Sequence, residues 1–373
     1  MKKLLIGTGI AIAGIGTIAF WQRDTIIRQA FAPTTQTTQE GTLPVALLKD
    51  SKPQEQEVIA ENLNIPWELA FLPDGNMLVT ERPGRLLKIT DKKEVIPIEG
   101  VTHTGEGGLL GMALHPNFKS NNWIYLYLTT SKNGALTNQV ERYTLSQNTL
   151  SDKTIILESI PGSRVHDGGR IAFGPDNLLY ITTGDAGVEK NAQNTSSLAG
   201  KILRIHDDGR IPNDNPFSNA VYSYGHRNPQ GIAWDAKGNL FATEHGRSGA
   251  ASGFDEVNLI TKGKNYGWPT IEGDETRDGM ENPLAHSGSK ETWAPSGATI
   301  MNNTLVFTGL RGQALYQADI QNGKIGTITR SHSNEFGRIR TVVYGPDNRL
   351  YILTNNTDGR GTPKPGDDKI IKL

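Results

Sequence analysis

Two residues suited to proton transfer, His166 and Asp185, stand nineteen residues apart in the stretch RVHDGGRIAFGPDNLLYITTGDAG. Between them lie a turn, GPDN at 174–177, and an apolar strand pattern, LLYITT. A histidine before a strand pair and an aspartate after it can meet at one end of a sheet. A carboxylate that binds one ring nitrogen fixes the tautomer and raises the basicity of the other. The spacing indicates a general base at His166; the alternative is a loop-capping histidine and a turn-forming aspartate.

Two further stretches carry residues that could contact a ligand. Glycines surround Glu106 in GEGGLLGMALHPNF, which indicates backbone passing close to a bound molecule. Arg227 and Asn228 are adjacent in YGHRNPQG and would present planar donors at the end of a strand.

Arginines recur in a pattern that favours an anionic ligand. Arg338 and Arg340 alternate in GRIR, so on a strand both side chains point to one face. Together with Arg227 and Arg311 they would supply several cations for one planar polyanion. The alternative for each arginine is an ordinary surface position.

A possible site for a hard cation lies in the stretch TEHGRSGAASGFDEVNLITKGKNYGWP, which begins at Thr243. Glu256 and backbone carbonyls near Gly246 and Tyr266 are oxygen ligands of the kind that calcium prefers. The chain has no cysteine, so disulfides, thiolate zinc sites, iron–sulfur centres and cysteine nucleophiles are excluded.

Composition restricts the class of protein. The 373 residues include 38 basic and 39 acidic side chains, with a net charge of −1, so no global field recruits nucleic acid or an anionic membrane. The 42 glycines and 19 prolines fit a turn-rich all-β protein. We therefore expect no nucleic-acid partner.

The amino terminus resembles a targeting segment. Lys2 and Lys3 precede an uncharged apolar stretch at 4–21, which is typical of an export signal or an anchor. The small-x-small sequence at 30–32 could be a cleavage site but lies far beyond that stretch, so an uncleaved anchor stays open. We assign 1–32 to a signal peptide or membrane anchor and 33–56, rich in Thr, Gln, Pro and Glu, to a flexible linker. The protein is then exported, either periplasmic or anchored on the outer face of the cytoplasmic membrane.

A repeated phrase predicts the fold of residues 57–373. An apolar pair, a Pro-Asp or equivalent, a Gly or Asn and an alternating strand recur six times at intervals of roughly 45–65 residues. The copies are AFLPDGNMLVTE, ALHPNFKSNNWIYLYL, AFGPDNLLYITTGD, AWDAKGNLFATEHG, ATIMNNTLVFTG and VYGPDNRLYILTN. Such intervals fit four short strands per copy, and the turn residues fit a hairpin within each. We predict a six-bladed β-propeller rather than a two-sheet sandwich, with functional groups on loops around one mouth of the channel.

In their order and spacing, seven phrases resemble the soluble quinoprotein glucose/sorbosone dehydrogenase family, most of all its aldose sugar dehydrogenase branch. They are GEGGLLGMALHPNF, HDGGRIAFGPD, TGDAG, GHRNPQGIAWD, DEVNLI, KNYGWP and GRIRTVVYGPD. The resemblance implies a six-bladed propeller that binds pyrroloquinoline quinone (PQQ) and calcium at the channel mouth. It implies oxidation of aldose sugars at C1 to lactones, with electrons passed to an external quinone, mediator or cytochrome.

The resemblance also implies roles for single residues. His166 matches the base that takes the proton of the C1 hydroxyl, Asp185 the carboxylate that orients it, and Arg227 the arginine that stabilises charge on the quinone oxygen. The implied cofactor contacts are Glu106, Arg227, Asn228, His245, Thr292, Arg311, Arg338 and Arg340. Carbonyls of Gly246 and Arg247 match ligands of a cofactor-bridging calcium, and Glu256 and the carbonyl of Tyr266 match part of a structural calcium site.

Departures from the family pattern concern substrate specificity more than the redox centre. Glu106 and His245 stand where glutamine is common, Arg247 replaces a proline, and Val165 replaces an aspartate before the base. Insertions of the glucose-specific members after residue 270 are missing, so we expect broad aldose use and a monomer. Two alternatives stay open: a calcium-dependent propeller lactonase or esterase, and an exported propeller that only binds carbohydrate or protein.

Overall fold

A computed structural model describes residues 23–43, 55–249 and 252–373. Within them six sheets, each built on four antiparallel strands, form the blades of a β-propeller. The first strands of the blades pack around a central channel. The six-bladed propeller predicted from the repeats is therefore confirmed. The predicted apolar segment at 4–21 lies outside the described residues.

The strands have the following bounds in chain order. Before the first blade come β1 (Gln39–Glu40) and β2 (Glu57–Ala60). The first three blades contain β3 (Pro66–Phe71), β4 (Met77–Glu81), β5 (Arg85–Ile89), β6 (Lys93–Pro97); β7 (Leu109–Leu114), β8 (Trp123–Lys132), β9 (Ala135–Ser146), β10 (Thr149–Pro161); and β11 (Ile171–Phe173), β12 (Leu179–Thr183), β13 (Lys201–Ile205), β14 (Val221–Tyr224). The last three contain β15 (Pro229–Trp234), β16 (Leu240–Glu244), β17 (Glu256–Ile260), β18 (Ala285–His286); β19 (Pro295–Met301), β20 (Thr304–Gly309), β21 (Leu315–Gln321), β22 (Lys324–Ile325), β23 (Thr329–Ser331); and β24 (Ile339–Tyr344), β25 (Leu350–Thr354), β26 (Ile370–Lys372).

The ring is closed by strands from both ends of the propeller sequence. β2 pairs with β26, with Glu57 opposite Lys372, and so becomes the outer strand of the sixth blade. Two single-turn helices interrupt the blades, α1 (Phe118–Asn121) and α2 (Lys190–Gln193), and residues 23–30 are also helical. Over the described parts of the chain, no helix combines the length and apolar character needed to cross a membrane.

The repeated phrase forms the hairpin between the first two strands of each blade, as predicted. Its aspartate accepts hydrogen bonds from backbone N–H groups just beyond it: Asp74 from Asn76 at 3.0 Å, and Asp235 from Lys237 and Asn239 at 2.9 Å each. Such side-chain turns stabilise tight connections between strands. The Pro-Asp-Gly and Pro-Asp-Asn turns of the first, third and sixth blades therefore have a local cause.

Apolar clusters between neighbouring blades form the core. Tyr125 and Tyr127 of the second blade pack with Ile181 and Leu203 of the third, all fully buried. Burial of a large apolar side chain stabilises a fold by about 1.5–3 kcal/mol. Contacts of this kind keep the blades at fixed angles, which is what holds the loops at the channel mouth in register.

Residues 31–43, named here the N-terminal strap, run along the fifth blade. β1 pairs in parallel with β23, so that Gln39 lies opposite Thr329. The sequence predicts a flexible linker over 33–56, but strap residues 36–42 make hydrogen bonds to the blade. The strap contains few apolar residues, so its sequence does not indicate that it packs on the blade. The contact is made by hydrogen bonds of backbone and carboxylate groups.

Candidate active site

The predicted site residues gather at one mouth of the channel because of strand direction. In an antiparallel blade, the loop before the first strand and the loop after the second strand lie at the same edge. Glu106 precedes β7, His166 precedes β11, and Arg227 and Asn228 precede β15. Asp185 follows β12. Residues far apart in the sequence are thereby brought to one face.

His166 and Asp185 form the predicted pair. Nδ1 of His166 lies 2.7 Å from Oδ1 of Asp185, which is fully buried. Burial alone would raise the pKa of Asp185, but hydrogen bonds from His166, Gly187 and Trp268 outweigh it and hold that pKa below its usual range. An ionised carboxylate only accepts hydrogen bonds, so Nδ1 of His166 carries the proton and Nε2 is left as a basic nitrogen.

The main chain of His166 has a left-handed conformation, with φ of 58°, that an ordinary residue rarely adopts. Its N–H donates to Oε2 of Glu106 at 2.8 Å, and its carbonyl accepts from Ala186 at 3.3 Å. Gly184 allows this arrangement, since a Cβ there would lie 2.0 Å from the carbonyl oxygen of His166. The glycine of TGDAG is thus required by close approach of two loops.

Glu106 connects His166 to the sixth blade. Its Oε1 lies 3.0 Å from Nη1 of Arg360. Burial alone would raise the pKa of Glu106, but Arg360 and His166 lower it to about 2. The carboxylate is therefore charged and is already bound on both oxygens.

A cavity that is partly open to solvent lies at the mouth. Trp67 is one of its lining residues, and five arginines line it: Arg247, Arg311, Arg338, Arg340 and Arg360. The cationic cluster predicted from GRIR and Arg311 is therefore present on one cavity.

The two arginines of GRIR are buried and oriented by neighbouring polar groups. Nη2 of Arg338 lies 2.9 Å from Oδ2 of Asp358, and Nη1 of Arg340 donates to Gln230 at 2.7 Å. Nε of Arg338 is buried without a hydrogen-bond partner among the described residues. A buried donor of this kind is costly unless a ligand satisfies it.

Arg227 and Asn228 lie on the loop before β15 and contact neighbouring loops of the site. Nη2 of Arg227 donates to Ser248 at 3.0 Å, and its guanidinium lies 5.3 Å from the Trp268 ring centroid. Oδ1 of Asn228 accepts the N–H of Gly168 at 3.0 Å. In the described structure Nε of Arg227 and Nδ2 of Asn228 are buried without partners. Two more donors therefore remain available at this side of the site.

A smaller cavity, which shares His245 and Gly246 with the first, carries the predicted acidic site. Glu244, Glu256, Tyr266 and Trp268 are among its lining residues. Burial, with the nearby charge of Glu244, raises the pKa of Glu256 to about 8. Two carboxylates facing one small cavity favour either a shared proton or a cation.

Gly246 and Arg247 line the main cavity, as predicted for ligands of a bridging cation. The carbonyl of Arg247 accepts a long hydrogen bond of 3.4 Å from Gly253, which leaves one lone pair available. Across the described ranges, no three His, Asp or Glu side chains group together in a way that could hold a metal ion. Any cation here would depend on backbone carbonyls.

Eight predicted residues line the main cavity: Glu106, His245, Gly246, Arg247, Thr292, Arg311, Arg338 and Arg340. Arg227, Glu256 and Tyr266 line the smaller one, together with His245 and Gly246. Neither cavity is lined by His166, Asp185 or Asn228. They connect to the walls through Glu106, Trp268 and Gly168, respectively.

His245 differs from the other histidine of the site. Burial lowers the pKa of His245 to about 3, and its Nε2 has no partner within the described structure. The ring is therefore neutral and can accept or donate one hydrogen bond to a ligand.

Four important residues were not identified from the sequence. Trp268 donates to Oδ2 of Asp185 at 2.9 Å, and the Trp67 ring centroid lies 5.8 Å from the guanidinium of Arg340. The other two form ion pairs: Arg360 with Glu106, and Asp358 with Arg338. The phrase KNYGWP contains Trp268, but nothing in it indicates a contact with Asp185. Arg360 and Asp358 lie in TDGRG, a charged turn after the second strand of the last blade. Only the position of this turn in the blade could have indicated a role in the site.

Comparison with known proteins agrees with this geometry. The sequence model of the Glucose / Sorbosone dehydrogenase family matches residues 63–363. Aldose sugar dehydrogenase YliI of Escherichia coli is 33% identical over 81% of this chain and 90% of its own length. Quinoprotein glucose dehydrogenase B of Acinetobacter calcoaceticus is 37% identical over 59% of this chain and 53% of its own. The PQQ-bound aldose sugar dehydrogenase of Streptomyces coelicolor is 38% identical and superposes with a TM-score of 0.79, covering 86% of this chain and 99% of that one. The chain therefore belongs to the glucose/sorbosone dehydrogenase family.

Proposed function

We propose that this protein oxidises aldose sugars at C1 to lactones, with PQQ as the redox cofactor and calcium as its metal. The observation that carries the proposal is the His166–Asp185 contact of 2.7 Å beside a cavity lined by five arginines. A base next to a polycationic pocket fits the removal of a proton from a sugar bound over an anionic cofactor.

His166 would act as the general base. With Nδ1 bound to Asp185, Nε2 would take the proton of the C1 hydroxyl as the hydrogen on C1 leaves with its electron pair. Trp268 and Gly187 hold Asp185 in place, at 2.9 and 2.7 Å, so that the ring keeps one orientation. A positioned base of this kind contributes a factor of about 10²–10⁴ to the rate.

The cavity fits PQQ by the chemistry of its donors. The cofactor carries three carboxylates, and Arg311, Arg338 and Arg340 would bind them, with Asn228, His245 and Thr292 as further contacts. Unpartnered Nε of Arg338 and Nδ2 of Asn228 are donors that such a ligand would satisfy. When bound, PQQ would supply the acceptor for the hydride, which carries both electrons of the oxidation. Glu106 would face substrate and cofactor from the opposite wall.

Arg227 would hold a permanent positive charge beside the reacting atoms. Its stacking on Trp268 and its bond to Ser248 restrict the guanidinium to one position. A preorganised cation stabilises negative charge that develops during a reaction without having to reorganise.

Calcium would bind in two places. Carbonyls of Gly246 and Arg247 would hold an ion at the main cavity, next to the cofactor. Glu256 and the carbonyl of Tyr266 would hold a second one, where burial and the charge of Glu244 raise the pKa of Glu256 and a cation would favour its ionised form.

Neither alternative function has a comparable observation in its favour. A propeller lactonase or esterase would need several acidic and amide side chains converging on one calcium, and in the described parts of the chain no three His, Asp or Glu side chains form such a group. A propeller that only binds carbohydrate has no use for a histidine held by a buried carboxylate.

We also propose that the protein is exported, acts as a monomer and passes electrons to a quinone, mediator or cytochrome outside the cytoplasmic membrane. These proposals come from the apolar segment at 4–21 and from the family resemblance.

Reconstitution tests the proposed function. The purified apo-protein is incubated with PQQ and calcium and assayed with a panel of aldoses and an artificial electron acceptor. We expect turnover with several aldoses that requires both additions. A lack of turnover with every aldose, together with calcium-dependent cleavage of a lactone or ester, would replace the proposal with the hydrolase alternative.

A further inference from the structure

The N-terminal strap reaches the rim of the ligand cavity. Phe31, at its start, is part of the cavity lining, whereas the rest of that lining comes from the propeller. The carbonyl of Ala32 accepts a hydrogen bond of 3.0 Å from Nε of Arg311. Thr34 accepts the N–H of Thr292 at 2.8 Å. The strap thus contacts two residues that the proposed function assigns to the cofactor.

Phe31 is also linked to the proposed base through two side chains. The guanidinium of Arg360 lies 4.8 Å from the centroid of the Phe31 ring. The same arginine lies 3.0 Å from Glu106, which accepts the N–H of His166. A cation stacked on an aromatic face is stabilised by the ring's quadrupole. The position of the strap therefore bears on the position of Glu106.

The strap has an anchor of its own on the fifth blade. Oε2 of Glu291 accepts four hydrogen bonds of 2.8–2.9 Å, from the backbone N–H and hydroxyl groups of Thr37 and Thr38. Glu291 is buried, and a buried carboxylate is tolerated only with such donors. Gln36 adds a bond to the carbonyl of Gly312 at 3.0 Å. Loss of the strap would leave the buried carboxylate of Glu291 without these four donors. The strap therefore stabilises the fifth blade.

The strap covers the cavity and does not fill it. Phe31 is one of twenty residues around the cavity, which stays partly open to solvent. A segment that blocked the site would occupy that space with its own side chains. The arrangement is that of a wall that a ligand would contact once bound.

We propose that, in the uncleaved chain, the N-terminal strap is a fixed lid of the ligand cavity and that Phe31 is a ligand-retaining residue of that site. The lid would contact a bound planar ligand from above, next to Arg311 and Arg360, and slow its release. The ligand in question is PQQ, so this step rests on the function proposed above.

Phe31→Ala in the full chain tests the lid. The rate of PQQ release from the calcium-loaded protein is measured by stopped-flow after mixing with a scavenger. We expect release about 3- to 30-fold faster than in the wild type, which corresponds to loss of one stacking contact. Phe31→Trp, which keeps an aromatic face over Arg360, should restore slow release. Ile26→Ala is the matched control, since that side chain precedes the strap and is 64% exposed.

A second measurement needs no cofactor. The chain has no cysteine, so Ser252→Cys introduces a single thiol beneath the strap, where Ser252 accepts from Arg311 at 2.9 Å. We expect a thiol reagent to react several-fold faster with this cysteine when Phe31→Ala is added. Unchanged PQQ release and unchanged labelling would overturn the lid while the proposed function stands. If the wild type binds no PQQ, the proposed function fails, and labelling decides the lid alone: faster labelling supports it, and an equal rate rejects it.

Discussion

The backbone N–H of His166 donates a hydrogen bond of 2.8 Å to Oε2 of Glu106, which ties together the loops that enter the third and second blades. The ring of the same histidine is held by Asp185 from the third blade. Main chain and side chain of the proposed base are thus fixed by different carboxylates, and its left-handed backbone is tolerated because both contacts are made.

Replacement of the base is expected to reduce catalysis without unfolding the propeller. His166→Ala should lower turnover by about 10²–10⁴, the contribution of a positioned general base, and leave PQQ affinity within a few-fold. Steady-state kinetics with a good aldose and a binding titration measure the two effects. His115→Ala is the control, because His115 also contacts an aspartate, Asp207 at 3.3 Å, but lies on the β7–β8 hairpin. Equal turnover of His166→Ala and wild type would remove His166 from the mechanism.

The close approach of two loops at the base predicts a severe effect of one added methyl group. A Cβ at Gly184 would lie 2.0 Å from the carbonyl oxygen of His166, so Gly184→Ala must displace the base or the turn. Overpacking of this kind costs about 1–3 kcal/mol, and we expect a lower melting temperature and at least a tenfold loss of turnover. Gly326→Ala is the control, since its nearest neighbour would be 3.7 Å away. Full activity of Gly184→Ala would show that the loops are less closely packed than described.

The charge of Glu106 makes part of the stability dependent on pH. Its pKa in the folded protein is about 2, below the ordinary value of 4.5. The stabilisation is fully present above pH 4.5 and is lost as the pH falls toward 2, because the unfolded state then binds more protons. Glu106→Gln should therefore lose less stability than the wild type over this interval. Denaturant unfolding at several pH values measures it, with the exposed Glu99→Gln as control. Parallel curves for Glu106→Gln and wild type would contradict the assignment.

Removal of calcium should release the cofactor and weaken the fold. A metal that binds only the folded state stabilises it by mass action, so exhaustive chelation should lower the melting temperature and decrease PQQ retention. In Glu256→Gln the structural site loses its carboxylate, and chelation should shift the melting temperature less than in the wild type. If chelation changes neither melting nor PQQ retention, the two calcium sites are absent.

The sequence indicates the features with a local cause. Each hairpin phrase carries its own turn chemistry, and HDGG and GDAG place His166 and Asp185 at the same edge of the third blade. Contacts between distant loops have no such signal: Trp268 reaches Asp185 across 83 positions, and Thr37 reaches Glu291 across 254. The strap was predicted as a linker because threonine-rich segments bury little apolar surface, whereas its anchor is made of hydrogen bonds.

The arginines of the cavity provide the most direct test of the central claim. Replacing Arg338 by alanine would leave the Asp358 carboxylate buried and unpaired, at a cost of about 3–5 kcal/mol. We therefore choose Arg338→Lys with Arg340→Lys, which keeps the charge and removes the planar fork. Arg142→Lys is the control, because Arg142 stacks on Trp123 at 4.0 Å, outside the cavity.

Isothermal titration of the apo-protein with PQQ at fixed calcium is the decisive measurement. We predict that the wild type and Arg142→Lys bind one PQQ per chain and that the double lysine variant binds at least about tenfold more weakly, since one lost bidentate contact corresponds to roughly 1.4 kcal/mol. Absence of binding by the wild type, or equal affinity of all three proteins, would contradict the assignment of this cavity to PQQ.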